Sequence, residues 1–277
     1  MGIPKIVHLT WKTKSIPEKF KRTVQSWKRT NPDWELKLWT DQDNRRYIAE
    51  NYPDFLPIFD GYPYGIQRAD AIRYFLLRDY GGIYADMDIE VLGPVEKYFE
   101  TPGGGVFLVQ SGNVHVFTNS FMASVPRAPF WDEVIERLMK PKVPWYALTK
   151  HFIVMYSTGP LMLNKVAKET RTVLNLLPKN VFMAYSVADD LQMIKPGAVL
   201  RNLNEGSWNS MDSLILNFLF CHGWNILMFA MSLAIIYLYT KRVGIPKVIS
   251  GYFEPSSSSV LIHPKGYHHK SVHITPR

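Results

Sequence analysis

Asp86 and Asp88 sit two residues apart inside an apolar stretch, and that placement restricts the fold more than any other feature of the chain. Ahead of them, Ile66, Ala69, Ile72, Phe75 and Leu76 fall on one helical stripe of the segment Ile66 to Asp79. Tyr80-Gly81-Gly82 supplies a stop, because glycine accepts the left-handed conformation at a helix end. Ile83-Tyr84-Ala85 then reads as a short strand entering Asp86-Met87-Asp88, and Ile89 to Leu92 resumes the apolar run. Carboxylates in such a place are costly to bury unless they are paired or metal-bound. The unit is therefore a helix feeding a strand whose end is a site.

The rest of the first half repeats the alternation. Ile3 to Trp11 opens as an extended apolar stretch, Glu18 to Thr30 is polar and helix-like, and Trp34, Leu36 and Leu38 alternate along a half-buried strand, Trp34 to Trp39. Thr40 with Asp43 three residues on has the pattern of an N-cap opening a helix through Glu50. Further along, Val106 to Gln110 reads as a strand, Pro129 to Lys140 as an amphipathic helix and Lys140 to Pro144 as a surface connection. Strands alternating with helices predict an α/β chain with a mostly parallel, helix-covered sheet.

In a strand, positions two apart share a face, and a bend at the strand end brings Asp86 and Asp88 onto one cation. Mg²⁺ or Mn²⁺ wants oxygen ligands and keeps places for phosphate oxygens. A nucleoside diphosphate leaving group needs that neutralisation as charge grows on its β-phosphate. A D-x-D pair is common by chance, and its position after an apolar strand and a Gly-Gly turn is what singles this one out. Aspartyl phosphohydrolases use the same spacing with the first Asp as nucleophile, but they continue with Gly or a small hydroxyl residue where this chain has Ile89-Glu90. Asp70 and Arg73, three apart, share a helix face; they are either a surface ion pair or a carboxylate and guanidinium facing sugar and phosphate.

From Leu214 to Thr240 no Asp, Glu, Lys or Arg occurs, a length that spans about 40 Å as a helix and predicts a membrane crossing. That divides the chain into a catalytic domain at 1–213, a transmembrane helix at 214–240 and a basic, flexible tail at 241–277. The formal charge of +8 follows the same division: the tail, with six lysines and arginines against Glu254, holds +5 of it. A basic balance confined to a tail gives nucleic acid little support as a partner. Cys221 is the single cysteine, so neither an internal disulfide nor a cysteine-based zinc cluster is available.

Two longer motifs resemble a known family. Ile3-Pro4-Lys5-Ile6-Val7-His8-Leu9-Thr10-Trp11-Lys12 is similar to the opening motif of the glycosyltransferases with the DXD sugar-binding motif, the family 32 group. That group includes fungal outer-chain α-1,6-mannosyltransferases and inositol phosphoceramide mannosyltransferases. Arg68-Ala69-Asp70-Ala71-Ile72-Arg73-Tyr74 followed by Tyr80 to Asp88 resembles its core signature. Asn119 to Ser124, Thr158-Gly159-Pro160 and Gly206-Ser207-Trp208 also fit, so the resemblance covers roughly residues 3 to 212.

The resemblance implies a GT-A fold, a Rossmann-like nucleotide-diphospho-sugar transferase domain, here followed by the C-terminal transmembrane helix. It implies a retaining transferase with a Mn²⁺ or Mg²⁺ cofactor, a nucleotide-sugar donor and a glycolipid or glycan acceptor, with GDP-mannose as the expected donor and a UDP-sugar as the alternative. By the same resemblance Trp11 stacks on the donor base, Tyr84, Asn119, Ser207 and Trp208 contact the donor, and Asp70 and Arg73 hold the sugar. Asp86 lies near ribose and metal, and Asp88 is the direct ligand. The sphingolipid-acting relatives often carry a histidine beside the Ser-Trp pair. Here Asn204-Glu205 precedes it, which makes Glu205 the candidate third metal contact. The expected address is a Golgi or ER membrane. Basic residues after Thr240 favour a lumenal catalytic domain, while Met1 to Thr10 lacks the pattern of a secretory signal, leaving the orientation open.

Overall fold

The computed structural model describes residues 2–101, 104–111, 116–179, 181–183, 196–203, 205 and 211–243. The chain begins with β1 (Ile6–Trp11), α1 (Glu18–Thr30), β2 (Glu35–Thr40), α2 (Asp41–Asn51), α3 (Leu56–Gly61) and α4 (Gly65–Tyr80). It continues with β3 (Gly82–Ala85), β4 (Ile89–Val91), β5 (Val106–Ser111), β6 (Val116–Ser124), α5 (Pro129–Met139), α6 (Lys150–Ser157) and α7 (Pro160–Glu169). Three short strands, β7 (Leu174–Leu176), β8 (Phe182–Met183) and β9 (Leu200–Asn202), precede α8 (Met211–Val243).

The main sheet has the order β2-β1-β3-β6-β5-β7. β1 pairs in parallel with both β2 and β3, and β5 in parallel with β7, but β6 runs antiparallel to both of its neighbours. The expectation of a mostly parallel sheet holds for three pairings and is interrupted by β6. Along each strand alternate residues serve opposite faces. Tyr84, Val106, Leu108 and Met122 join one buried core with residues of α2, α4, α5 and α7. Ile83, Ala85, Phe107, Val109, Phe121 and Ala123 join a second core with Phe20 and Trp27 of α1. A small sheet of order β4-β9-β8 extends the second side.

Local signals place these elements. At the start of α2 Thr40 and Asp43 form a reciprocal capping box, with the Asp43 N–H donating to Thr40 Oγ1 at 3.1 Å. α4 ends at Gly81, whose N–H reaches the Leu77 carbonyl at 3.0 Å and whose φ is 63°. A Cβ at Gly81 would meet Pro126 N at 2.6 Å, and one at Gly82, also at positive φ, would collide with the Ile6 carbonyl oxygen. The glycine pair is thus required both by backbone sign and by the close approach of β1 and the segment after β6.

The described residues divide into two units, one ending at His222 and the other beginning at Gly223. In the second, α8 continues as an apolar helix; His222–Arg242 is long and apolar enough to cross a membrane, and none of that window is buried.

Candidate active site

The site forms at the carboxyl end of β3. β3 stops at Ala85, and Asp86 to Ile89 close a turn in which the Ile89 N–H donates to the Asp86 carbonyl at 3.1 Å. Both neighbours fasten this turn. The Asp86 N–H donates to the Ser120 carbonyl of β6 at 2.8 Å, and Thr23 Oγ1 of α1 donates to the Met87 carbonyl at 2.5 Å. The outward residues of the turn are the two carboxylates, while Met87 goes into the core.

Beneath the turn lies a buried ionic cluster. Asp70 and Arg73, on successive turns of α4, are only 4% and 2% exposed and are bridged at 2.7 Å. Arg73 also reaches Asp86 Oδ1 at 3.2 Å, donates to the Asn119 carbonyl at 2.6 Å and lies over the Tyr84 ring at 4.4 Å. The pair is therefore neither a surface bridge nor isolated. Asp70 accepts two further bonds, from Asn119 Nδ2 at 3.1 Å and Thr158 Oγ1 at 3.2 Å. Tyr84 donates to Asp86 Oδ1 at 2.8 Å and meets Thr10 Oγ1 at 3.1 Å, which ties β1 to the acidic turn.

Charge in this cluster does not balance. Asp70, Asp86 and Asp88 face one guanidinium, a deficit of two positive charges among the described residues. Burial pushes the Asp70 carboxyl up to about 6, against the pull of Arg73. Burial, and then the neighbouring Asp86, push Asp88 up to about 6 as well, and burial raises Asp86 although a third of its side chain stays accessible. Burial works against the charge of Arg73, but Asp86, Tyr84 and Asp70 outweigh it and raise its pKa.

Does this donor set suit a divalent cation? Asp86 and Asp88 stand on one turn as hard oxygen donors; burial raises both pKa values, and the neighbouring Asp86 adds to the rise at Asp88. Mg²⁺ and Mn²⁺ commonly bind through one or two carboxylates and complete their shell with water and phosphate, so the pair fits. No group of three or more acidic, histidine or cysteine side chains comes together to hold a metal among the described residues. Glu205, the expected third contact, lies beside this pair: its backbone N–H donates to Asp88 Oδ2 at 3.0 Å, and its carboxylate bridges to Lys19 at 2.8 Å.

Trp11 stands at the end of β1, half-buried, with Phe20 edge-on at 5.1 Å; one residue before it, Thr10 contacts Tyr84. Asn119 uses its amide on Asp70 and on Tyr74 Oη at 3.3 Å. Ser207 and Trp208 lie outside the described residues. Two participants were not found by sequence reasoning. Thr158 was quoted only as part of a motif, and Tyr62, in the turn before α4, carries no local pattern. Tyr62 is 8% exposed, its hydroxyl has no hydrogen-bond partner among the described residues, and it feels the charge of Asp70. Glu90, next after the acidic pair and Ile89, is spent on structure, buried between Arg22 at 2.8 Å and Arg201.

Residues 17–102 match the family described as the glycosyltransferase sugar-binding region containing the DXD motif. Inositol phosphoceramide mannosyltransferase 1 of Schizosaccharomyces pombe is 32% identical over 247 residues, covering 87% of this chain and 74% of the relative. The chain belongs to this glycosyltransferase family. Inositol phosphoceramide mannosyltransferase 2 of the same yeast is 42% identical over 162 residues, and a mannosyl phosphorylinositol ceramide synthase of Saccharomyces cerevisiae is 41% identical over 167. Those alignments cover 58% and 60% of this chain but only 45% and 43% of the relatives, so the chain spans under half of their length there. Among solved structures, the ligand-free glycosyltransferase domain of the YGT toxin aligns with 79% of this chain and 86% of that one, at a TM-score of 0.45 and 10% identity.

Proposed function

We propose that this glycosyltransferase is a hexosyltransferase that moves mannose from GDP-mannose to an inositol phosphoceramide or related glycan acceptor, with retention of anomeric configuration and with help from Mn²⁺ or Mg²⁺. The observation that carries the reading is the charge-deficient acidic turn at the end of β3, standing on the buried Asp70–Arg73 pair. When bound there, a divalent ion supplies the positive charge that stabilises a departing nucleoside diphosphate. Asp88 and Asp86 would hold it. Arg73 keeps Asp86 and Asp70 oriented through a fixed fork of donors. Asp70, steadied by Asn119 and Thr158, would accept hydrogen bonds from sugar hydroxyls. Trp11 presents a ring for the base.

Asp70 is held by Arg73, Asn119 and Thr158, and Asp86 by Arg73 and Tyr84, so neither carboxylate is poised as a covalent nucleophile. A front-face departure and attack is the route this favours. The names of the yeast relatives, inositol phosphoceramide mannosyltransferases, support mannose and an inositol phosphoceramide acceptor; a UDP-sugar donor is the second reading. α8 would tether the domain to a Golgi or ER membrane. The aspartyl phosphohydrolase alternative loses ground because Glu90 is committed to two arginines. A panel of GDP- and UDP-sugars assayed by nucleotide release, with Mn²⁺, Mg²⁺ or EDTA, tests the proposal. Metal-dependent GDP release from GDP-mannose is expected; phosphate release from simple esters without nucleotide-sugar turnover would overturn it.

A further inference from the structure

Between Arg137 and Lys168 the chain carries six lysines and arginines and no acidic residue. At the centre of that segment, the turn from α5 to α6 exposes its largest apolar side chains. Trp145 is 87% and Leu148 81% exposed, with Tyr146 and Val143 also open to solvent. The turn is nonetheless built. The Ala147 N–H donates to the Pro144 carbonyl at 3.0 Å, that of Leu148 to the Tyr146 carbonyl at 2.9 Å, and Ala147 itself is buried. Thr149 then caps α6. Tyr146 sits edge-on to both Trp145, at 5.9 Å, and Tyr156 of α6, at 6.1 Å. An ordered turn that holds a tryptophan and a leucine outward is presenting them to something other than water.

Three observations identify the occupant. Lys140 and Lys142 are exposed beside the apolar tips, and a cavity of about 330 Å³ nearby is walled by Arg137, Lys142, Tyr156, Lys165 and Lys168, of which Arg137 and Lys165 also pair with Glu169. The field there is positive. Trp and Tyr next to aliphatic side chains and lysines is the composition that settles at the level of lipid headgroups. Finally, α6 is joined to the first turn of α8: the His151 N–H donates to Asp212 Oδ2 at 2.8 Å and its ring lies 3.1 Å from Ser213 Oγ. The uncharged run begins at the next residue, Leu214.

We propose that the Val143–Leu148 turn is an interfacial membrane contact. Trp145, Tyr146 and Leu148 enter the boundary between headgroups and acyl chains, while Lys140 and Lys142 lie over anionic headgroups. The contact lays the catalytic domain on the bilayer beside the point where the chain enters it. It rests on α8 being membrane-embedded and is independent of the donor and acceptor.

Cys221 is the only cysteine, so a Cys221→Ser full chain accepts one spin label at a time. Labels placed by Trp145→Cys, Leu148→Cys, Leu227→Cys in α8 and Asp54→Cys on the exposed surface are compared in vesicles of three parts phosphatidylcholine to one part phosphatidylserine. Collision with oxygen and with an aqueous nickel chelate is read by electron paramagnetic resonance. Labels at 145 and 148 should show a several-fold drop in nickel collision relative to 54, shrinking in pure phosphatidylcholine, while 227 is protected in both. Labels at 145 and 148 as open to nickel as 54, with 227 protected, would overturn the interfacial contact alone. If 227 is open too, the membrane reading of α8 falls with it. Protection that persists in amphipol without lipid, with dipolar broadening between labels, would assign the turn to a second copy of the chain and also overturn the proposal.

Discussion

Asp70→Asn tests the electrostatic description of the site without touching either proposed metal ligand. The wild-type carboxyl is 4% exposed and its pKa rises from 3.8 to about 6, chiefly through burial. Well below pH 3.8 it is protonated in the folded and the unfolded chain alike, and whatever stability it contributes is fully present. As pH rises toward 6 the unfolded chain gives up its proton first, so the native state loses stability across that window. A shift of about two units corresponds to about 3 kcal/mol. The asparagine variant has no such titration, while Asp86 and Asp88 remain in both proteins, Asp86 keeping Arg73 as its counter-charge in each. Arg73 loses its 2.7 Å bridge in the variant at every pH, which sets an offset but not a slope. Urea unfolding of detergent-solubilised protein in EDTA, at pH 4 and pH 7.5, measures the difference. Relative to wild type, the variant should gain about 2 kcal/mol between the two pH values, the remainder of the shift lying below pH 4. Parallel stability curves would refute the claim that Asp70 is ionised at a cost at neutral pH.

Two further outcomes are expected. Asp88→Asn should lower kcat by at least ~10²-fold, as for the loss of one strong electrostatic stabiliser, and should raise the Mn²⁺ concentration needed for half-maximal activity; sugar transfer at the wild-type level would sink the mechanism. Trp11→Phe should raise the donor KM modestly and Trp11→Ala much more, by about 1–3 kcal/mol if the base stacks there; normal donor affinity in the folded fraction of Trp11→Ala would leave the ring a packing role against Phe20.

What could be read from the sequence was governed by range. α2 declares itself through the Thr40–Asp43 box, and α4 through its helical stripe and the Gly81-Gly82 stop, all signals confined to a few neighbouring residues. The acidic pair was legible as a conflict, charge inside an apolar strand, and the structure resolves that conflict by turning the chain at Asp86. β6 was not legible as a strand, because Thr118, Asn119 and Ser120 break its apolar run; those polar residues are there to serve the site, through the Asn119 carbonyl and amide and the Ser120 carbonyl. The antiparallel pairing of β6 depends on partners some forty residues away in β3, which no local pattern encodes. Asp70 and Arg73 were visible as neighbours on a helix face. Their burial, and the reach of Arg73 to Asp86, depend on β3 and β6 closing over α4.

Arg73 makes the cluster self-consistent only up to a point, and that point is informative. One guanidinium shared between Asp70 and Asp86 can neutralise a single charge, and it is held rigidly by the Asn119 and Ala69 carbonyls and the Tyr84 face, so it cannot swing toward Asp88. Lys19, the cation bonded to Glu205 beside the turn, is occupied by that carboxylate. The fold therefore fixes a charge deficit of two at a half-open turn. A chain that needed only stability would have halved it with one Asp→Asn change at Asp88. Retaining it makes sense if folding places the site in a state that a divalent ion and an anionic diphosphate complete together, so that the energy withheld from the metal-free protein is recovered on binding. The raised pKa values of Asp70 and Asp88 come first from burial, and at both sites the neighbouring Asp86 adds to the cost of the charged form.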